Sequence, residues 1–308
     1  MATGWFSHAD CARHEMGPWH PEQPARLAAI EAALKAGPFS QLIRFEAPLV
    51  DETALCRVHL PAYVEAIKRA APSAGQVVLD PDTRMNPHSL AAARRAAGAV
   101  VAAVDRVMAG DIDNAFCAVR PPGHHACRDR AMGFCLFNNV AVGAAHALAV
   151  HGLARVAIVD FDVHHGNGTE DIFHDDERVL LASSFQHPFY PFSGADSGNE
   201  HIIPMPLPAG SGSREFRHAW EHIGLPALAR FAPEFIFFSA GFDAHRNDPL
   251  AGLNLEEGDF AWLTREVAAI AERFARGRMV STLEGGYDLT ALAASVTAHV
   301  QVLLNAAS

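Results

Sequence analysis

Charge is scarce in this chain, and what there is leans to one sign. Charged residues fill 19% of the 308 positions against 50% hydrophobic ones. That balance excludes a disordered chain and allows a large core. Twenty-four Lys and Arg against 35 Asp and Glu leave a formal charge of −11, so binding to nucleic-acid phosphates is disfavoured. Cysteine is sparse as well: Cys11, Cys56, Cys117, Cys127 and Cys135 form no CxxC pair. An odd, scattered set reads as reduced thiols of a cytoplasmic protein. The opening "MATGWFSHAD" has no basic stretch leading into an apolar one, so no signal peptide is expected. No uninterrupted apolar run is expected to span a membrane, since "AAGAVVAAVDRVMAG" is broken by Asp105 and Arg106. Linkers, low-complexity stretches and internal repeats are missing too. These absences define a setting and leave the chemistry open.

What is present is an alternation of short β-rich runs and helical stretches. Strands are expected over 115–120, 155–162, 178–184, 234–243 and 278–286. Helices are expected over 24–36, 88–110, 138–152, 213–231 and 259–277. The strands read as continuous apolar runs, as they do when both faces of a sheet are covered. Alternation at this spacing argues for a parallel α/β sheet in a single domain over residues 1–308. The Pro/Gly-rich stretch 186–212 reads as a long loop of the kind that carries function.

The apolar run into "VDFDVHHGNG" (159–168) ends in groups that are costly to bury. On an extended strand, Asp160, Asp162 and His164 share one face at the C-terminal end, where ligands bind in parallel sheets. Asp162 and His164 suit a cation if a third group arrives from another strand. Asp243, at the end of "FSAGFDA", is a candidate, although alone it reads equally as a cap or turn residue. Three such ligands with an open position are the donor set of a catalytic zinc site. In "RPPGHHA" (120–126) a rigid turn delivers His124 and His125. By itself the pair reads as structural; beside a metal it supplies a base and an acid that titrate near neutrality. Tyr287, after Gly285 and Gly286 in "LEGGYDL", either donates to an oxyanion or packs at a helix start.

Together, "HPEQPARL", "RPPGHHA", "DFDVHHGNGTED", "AGFDAHRNDPLAG" and "EGGYDL" stand in the order found in the zinc-dependent histone deacetylase and acetylpolyamine amidohydrolase superfamily. The chain resembles that family along nearly its whole length. The resemblance implies an arginase/deacetylase fold around an eight-stranded, mostly parallel sheet. It also implies Asp162, His164 and Asp243 as zinc ligands and His125 as general base and acid. His124 is implied as the electrostatic partner of His125, and Tyr287 as the group polarising the scissile carbonyl. Asp160 and Asn167 match acceptors for His124 and His125, and Asn167 in place of Asp is similar to the class II branch. His165 matches a residue that is not a ligand. Structural potassium or sodium is implied at Asp160, Asp162, His164, Ser183 and Ser184, with Phe173 and Val179 resembling part of a second cation site. Gly133, Phe134 and Tyr190 match a tunnel that sheathes the stem of an acylated amine.

Two departures bear on the tunnel mouth: Ser183-Ser184-Phe185 stands where many relatives read Ser-x-His, and Phe192 where many have Gly. Leu250 matches the entrance position at which polyamine-selective relatives place a glutamate, which favours acyl-lysine over acetylpolyamines. Asp82 reads as a turn residue or as an anchor for substrate backbone at the rim. An acetylpolyamine deacetylase and a catalytically silent acyl-ligand binding protein stay open as alternatives. Arginase-like two-manganese chemistry fits "RPPGHHA" and "EGGY" poorly. Oligomeric state is not legible.

Overall fold

The apolar runs lie side by side. The computed structural model describes residues 2–35 and 37–307. Its strands are β1 (Thr3–Ser7), β2 (Ile43–Glu46), β3 (Val77–Asp80), β4 (Thr83–Met85), β5 (Asn114–Cys117), β6 (Val156–Asp160), β7 (Val179–Gln186), β8 (Ile202–Leu207), β9 (Phe235–Ala240) and β10 (Met279–Leu283). Eight of them form one sheet in the order β2-β1-β5-β10-β9-β6-β7-β8, and every pairing is parallel. β3 and β4 make a separate antiparallel hairpin.

The central strands are apolar throughout because each face has its own core. Phe235 and Phe237 of β9 enter one cluster, with Ile158 of β6 and helical Ala96, Val100 and Val140. Ile236 and Phe238 enter the other, with Val159, Leu263, Val296 and Val300. Side chains alternate across the sheet, and helices cover both sides.

All five expected strands are present, and four stop short of the apolar run that announced them. The runs 115–120, 155–162, 234–243 and 278–286 leave the sheet at Cys117, Asp160, Ala240 and Leu283. The residues beyond are the motif residues, which turn out of the sheet. The expected helices are observed at Ala25–Leu34, Ser89–Ala109 and Asn139–His151, over 213–231 with a π-helical turn at Trp220–Gly224, and at Glu257–Ile270 running into a second such turn. The expected helix over 24–36 reaches position 36, which lies outside the described residues.

Two readings need correction. The stretch 186–212 is not all loop, since it contains β8. Pro204 and Pro206 break the usual strand signature, and they are accommodated because β8 is an edge strand. Leu181 N donates to His201 O, so residues 201, 203 and 205 address β7 while both prolines face away from it. The helix Leu289–Ala306, not anticipated, is long and apolar enough to cross a membrane by length and composition. Here it lies on the sheet, with its Leu292, Val296, Val300 and Leu303 in the core and its His299 side chain buried on the same face.

Candidate active site

The four motif-bearing loops leave β5, β10, β9 and β6, which are consecutive neighbours at the centre of the sheet. The chain passes from β5 to β6 over the two strands between them. Open parallel sheets bind ligands at the C-terminal end beside such a reversal of strand order.

Asp162, His164 and Asp243 bring one ligand atom each to within 4.8 Å of one another, all buried. His164 Nδ1 lies 2.9 Å from Asp162 Oδ1 and 3.2 Å from Asp243 Oδ2. The outer oxygens are held by backbone: Gly285 N donates to Asp162 Oδ2 (2.8 Å) and Val163 N to Asp243 Oδ1 (2.9 Å). Asp243 Oδ2 is buried and receives no hydrogen bond. Burial opposes a charge on His164, yet the two carboxylates outweigh it and raise the imidazole to about 10. An orphaned carboxylate oxygen, a second carboxylate and an imidazole converging on one point fit a zinc ion.

A second convergence, Asp105 with His146 and His151, has a different character. Arg57 Nη1 approaches His146 Nδ1 at 3.2 Å. A guanidinium only donates, so the proton of His146 sits on Nε2 and points at Asp105 Oδ1, 2.7 Å away. That is a hydrogen-bonded surface cluster.

His124 and His125 project from the turn after β5. Glu284, at the end of β10, fixes that turn: its Oε2 accepts from Gly123 N (2.6 Å) and His124 N (3.1 Å). Burial pushes the Glu284 carboxyl up to about 7. His124 Nδ1 donates to Asp160 Oδ2 at 3.0 Å. Burial disfavours its protonation, but Asp162 and Asp160 raise it to about 10. His125 Nδ1 is 2.7 Å from Asn167 Oδ1. Burial and the neighbouring His124 and His164 hold His125 well below its ordinary value. Gly133, with φ +55°, lies flat against the His125 ring, where any Cβ would overlap the imidazole.

Tyr287 directly precedes Asp288, which caps the C-terminal helix by accepting from Ala291 N. Its backbone N–H donates to Asp248 Oδ2 at 2.7 Å. The Arg26 guanidinium stacks on its ring, 5.0 Å from the centroid. Arg26 also grips the loop, donating to Gly286 O (2.7 Å) and Glu284 O (2.5 Å). Glu22 anchors Arg26 in turn (3.1 Å) and forms a fork with Arg120. Burial works against the charge on Glu22, but the two guanidiniums hold it at about 2. This accounts for "HPEQPARL", a motif with no residue in the cavity.

A cavity of about 100 Å³ is lined by His124, His125, His164 and Tyr287, and also by Gly133, Phe134, Tyr190 and Leu250. Every residue expected along the tunnel therefore faces the same space as the histidines and the tyrosine. Its volume suits a slender chain better than a bulky ligand. Asp82 also lines it. His165 points elsewhere, its Nε2 2.6 Å from Glu170 Oε2 and its ring against Phe185. Phe192 is 76% exposed with φ +61°, a left-handed conformation that favours glycine.

The residues expected to hold monovalent cations are placed unevenly. Ser183 pairs with Asp160 across β7 and β6, and its hydroxyl is buried without a partner. Ser184 Oγ accepts from Trp220 Nε1. The carbonyls of Phe173 and Val179 already accept from Asp176 N and His201 Nδ1. Sequence reasoning missed Glu284, Asp248 and Arg26. For the first two a signal existed, an acid next to an apolar strand or a proline. Arg26 acts through backbone carbonyls, which leave no trace in sequence.

Fold and site together define a parallel α/β protein with a buried Asp-His-Asp triad that could hold a metal ion beside a histidine pair. The histone deacetylase domain model matches residues 20–303. The histone deacetylase-like amidohydrolase of Pseudomonas aeruginosa is 42% identical over 93% of this chain and 82% of its own length. A probable deacetylase of Archaeoglobus fulgidus is 36% identical, over 94% and 82%. The crystal structure of the HDA15 HD domain superposes with a TM-score of 0.91 at 35% identity, covering 99% of this chain and 90% of that one. The chain belongs to the histone deacetylase family.

Proposed function

We propose that this chain is a zinc-dependent amidohydrolase that removes acetyl or related acyl groups from acylated amines, with acyl-lysine as the preferred class. The observation that carries the reading is the convergence of Asp162 and Asp243 on His164, which lines a cavity together with His125 and Tyr287. Zinc held by the three ligands would polarise the substrate carbonyl and acidify a water. His125 accepts the water's proton at Nε2 and returns it to the leaving amine. Its Nδ1–H stays on Asn167 throughout. His124, charged and tied to Asp160, steadies negative charge developing nearby. The Tyr287 hydroxyl donates to the carbonyl oxygen, from a backbone pinned by Asp248 and a ring pinned by Arg26.

Phe134 and Tyr190 flank an apolar stem, and Leu250 offers no charge to a second ammonium. Asp82 in the same lining favours the runner-up, a cationic acetylpolyamine. A potassium ion near Asp160 and Ser183 belongs to this proposal, supported by the unpartnered Ser183 hydroxyl. The test is turnover of acetyl-lysine peptides, longer acyl-lysines and acetylpolyamines by zinc-loaded protein, beside His125→Ala. Acyl-lysine hydrolysis that vanishes in the variant is expected. Preference for acetylpolyamines would overturn the substrate assignment, and no hydrolysis of any amide would overturn the enzymatic one.

A further inference from the structure

We propose that Met132 is a positioning residue: its thioether selects the orientation of the Asn167 amide and thereby fixes which nitrogen of His125 carries a proton. The inference rests on the reading of His125 as the proton acceptor. An asparagine amide has a donating and an accepting end of nearly equal shape, so its neighbours must choose between them. One end of Asn167 lies 2.7 Å from His125 Nδ1. The other lies 3.4 Å from Met132 Sδ and 3.5 Å from Cys127 Sγ.

The two sulfurs do not carry equal weight. A thiol both donates and accepts, so Cys127 presents lone pairs to Asn167 only while its own proton is given elsewhere, and it can turn that proton back. Cys127 Sγ is 3.6 Å from His125 O, to which it donates, and Arg130 Nη2 approaches the sulfur at 3.7 Å. A thioether has no proton to give, so only the NH₂ end of Asn167 can face Met132 favourably. That leaves Oδ1 toward His125 and requires Nδ1 to be the protonated nitrogen. Nε2 then presents its lone pair to the cavity. A carboxylate at position 167 would impose this tautomer without help, because both its ends accept. An asparagine needs a group behind it that cannot donate.

The test is a double-mutant cycle in the zinc-loaded full chain, combining Met132→Leu with Asn167→Asp. Met132→Leu alone should lower kcat about tenfold with KM little changed, the low end of the range for groups that orient a reacting residue. In the Asn167→Asp background the same substitution should change kcat less than twofold, since a carboxylate cannot be misoriented. Nitrogen-15 NMR of labelled histidines supplies a readout independent of turnover. His125 should show a single Nδ1–H tautomer in the parent and a mixture in Met132→Leu. Equal losses in both backgrounds would assign Met132 to packing and overturn the proposal, as would an unchanged tautomer. Full activity of His125→Ala would instead remove the assignment of His125 as proton acceptor, a separate failure.

Discussion

Tyr287 is held from three sides, by Asp248 at its amide, Arg26 over its ring and Phe134 at its edge. Removing only the hydroxyl should leave that scaffold intact. Tyr287→Phe is expected to reduce kcat by about 10²–10³, the usual loss for one oxyanion donor, with KM little changed in steady-state assays. Arg26 tests the scaffold. Arg26→Met strands part of the Glu22 charge and frees two loop carbonyls, so urea unfolding should show a loss of about 3 kcal/mol or more. The proposed metal ligands, both histidines and the tyrosine were readable because polar side chains at the ends of apolar strands stand out. Glu284 and Asp248 carried the same kind of signal and were passed over, whereas Arg26 grips two loop carbonyls that leave no trace in sequence.

The turn after β10 shows how an element shapes the site without contributing a ligand. Gly285 donates its N–H to Asp162, and a Cβ at this position would overlap the carboxylates of both Asp243 and Asp162. Gly285→Ala should therefore fold yet bind zinc at least about tenfold more weakly, measured by competition with a chromogenic chelator. The strands were legible as apolar runs, but their ends were not: the runs continue to 162 and 243 while the sheet stops at Asp160 and Ala240. β8 was hidden by prolines that an edge position tolerates. The helix Leu289–Ala306 was passed over although Leu292, Val296, Val300 and Leu303 repeat at helical spacing and face the core.

Several titratable groups are sealed inside, and they couple stability to pH. His299 projects from the C-terminal helix toward the sheet, its ring bonded to Thr264 of the neighbouring helix and Ser281 of β10. Burial lowers it from 6.5 to about 3. Unfolding exposes an imidazole that binds a proton below pH 6.5, while the folded form refuses it, so stability falls as pH drops from 6.5 towards 3. Relative to His299→Gln, the parent should lose an extra amount of about 1.4 kcal/mol per pH unit in that window, read from urea midpoints.

The molecule's outline also limits how copies can meet. A sheet with two free edges can extend by adding a strand from a neighbour. On β8 the outward positions 204 and 206 have no N–H to offer. A strand arriving there would find acceptors without donors, and growth on that side is blocked. Any association of this chain through its sheet is left to the β2 edge, at the far side of the molecule from β8.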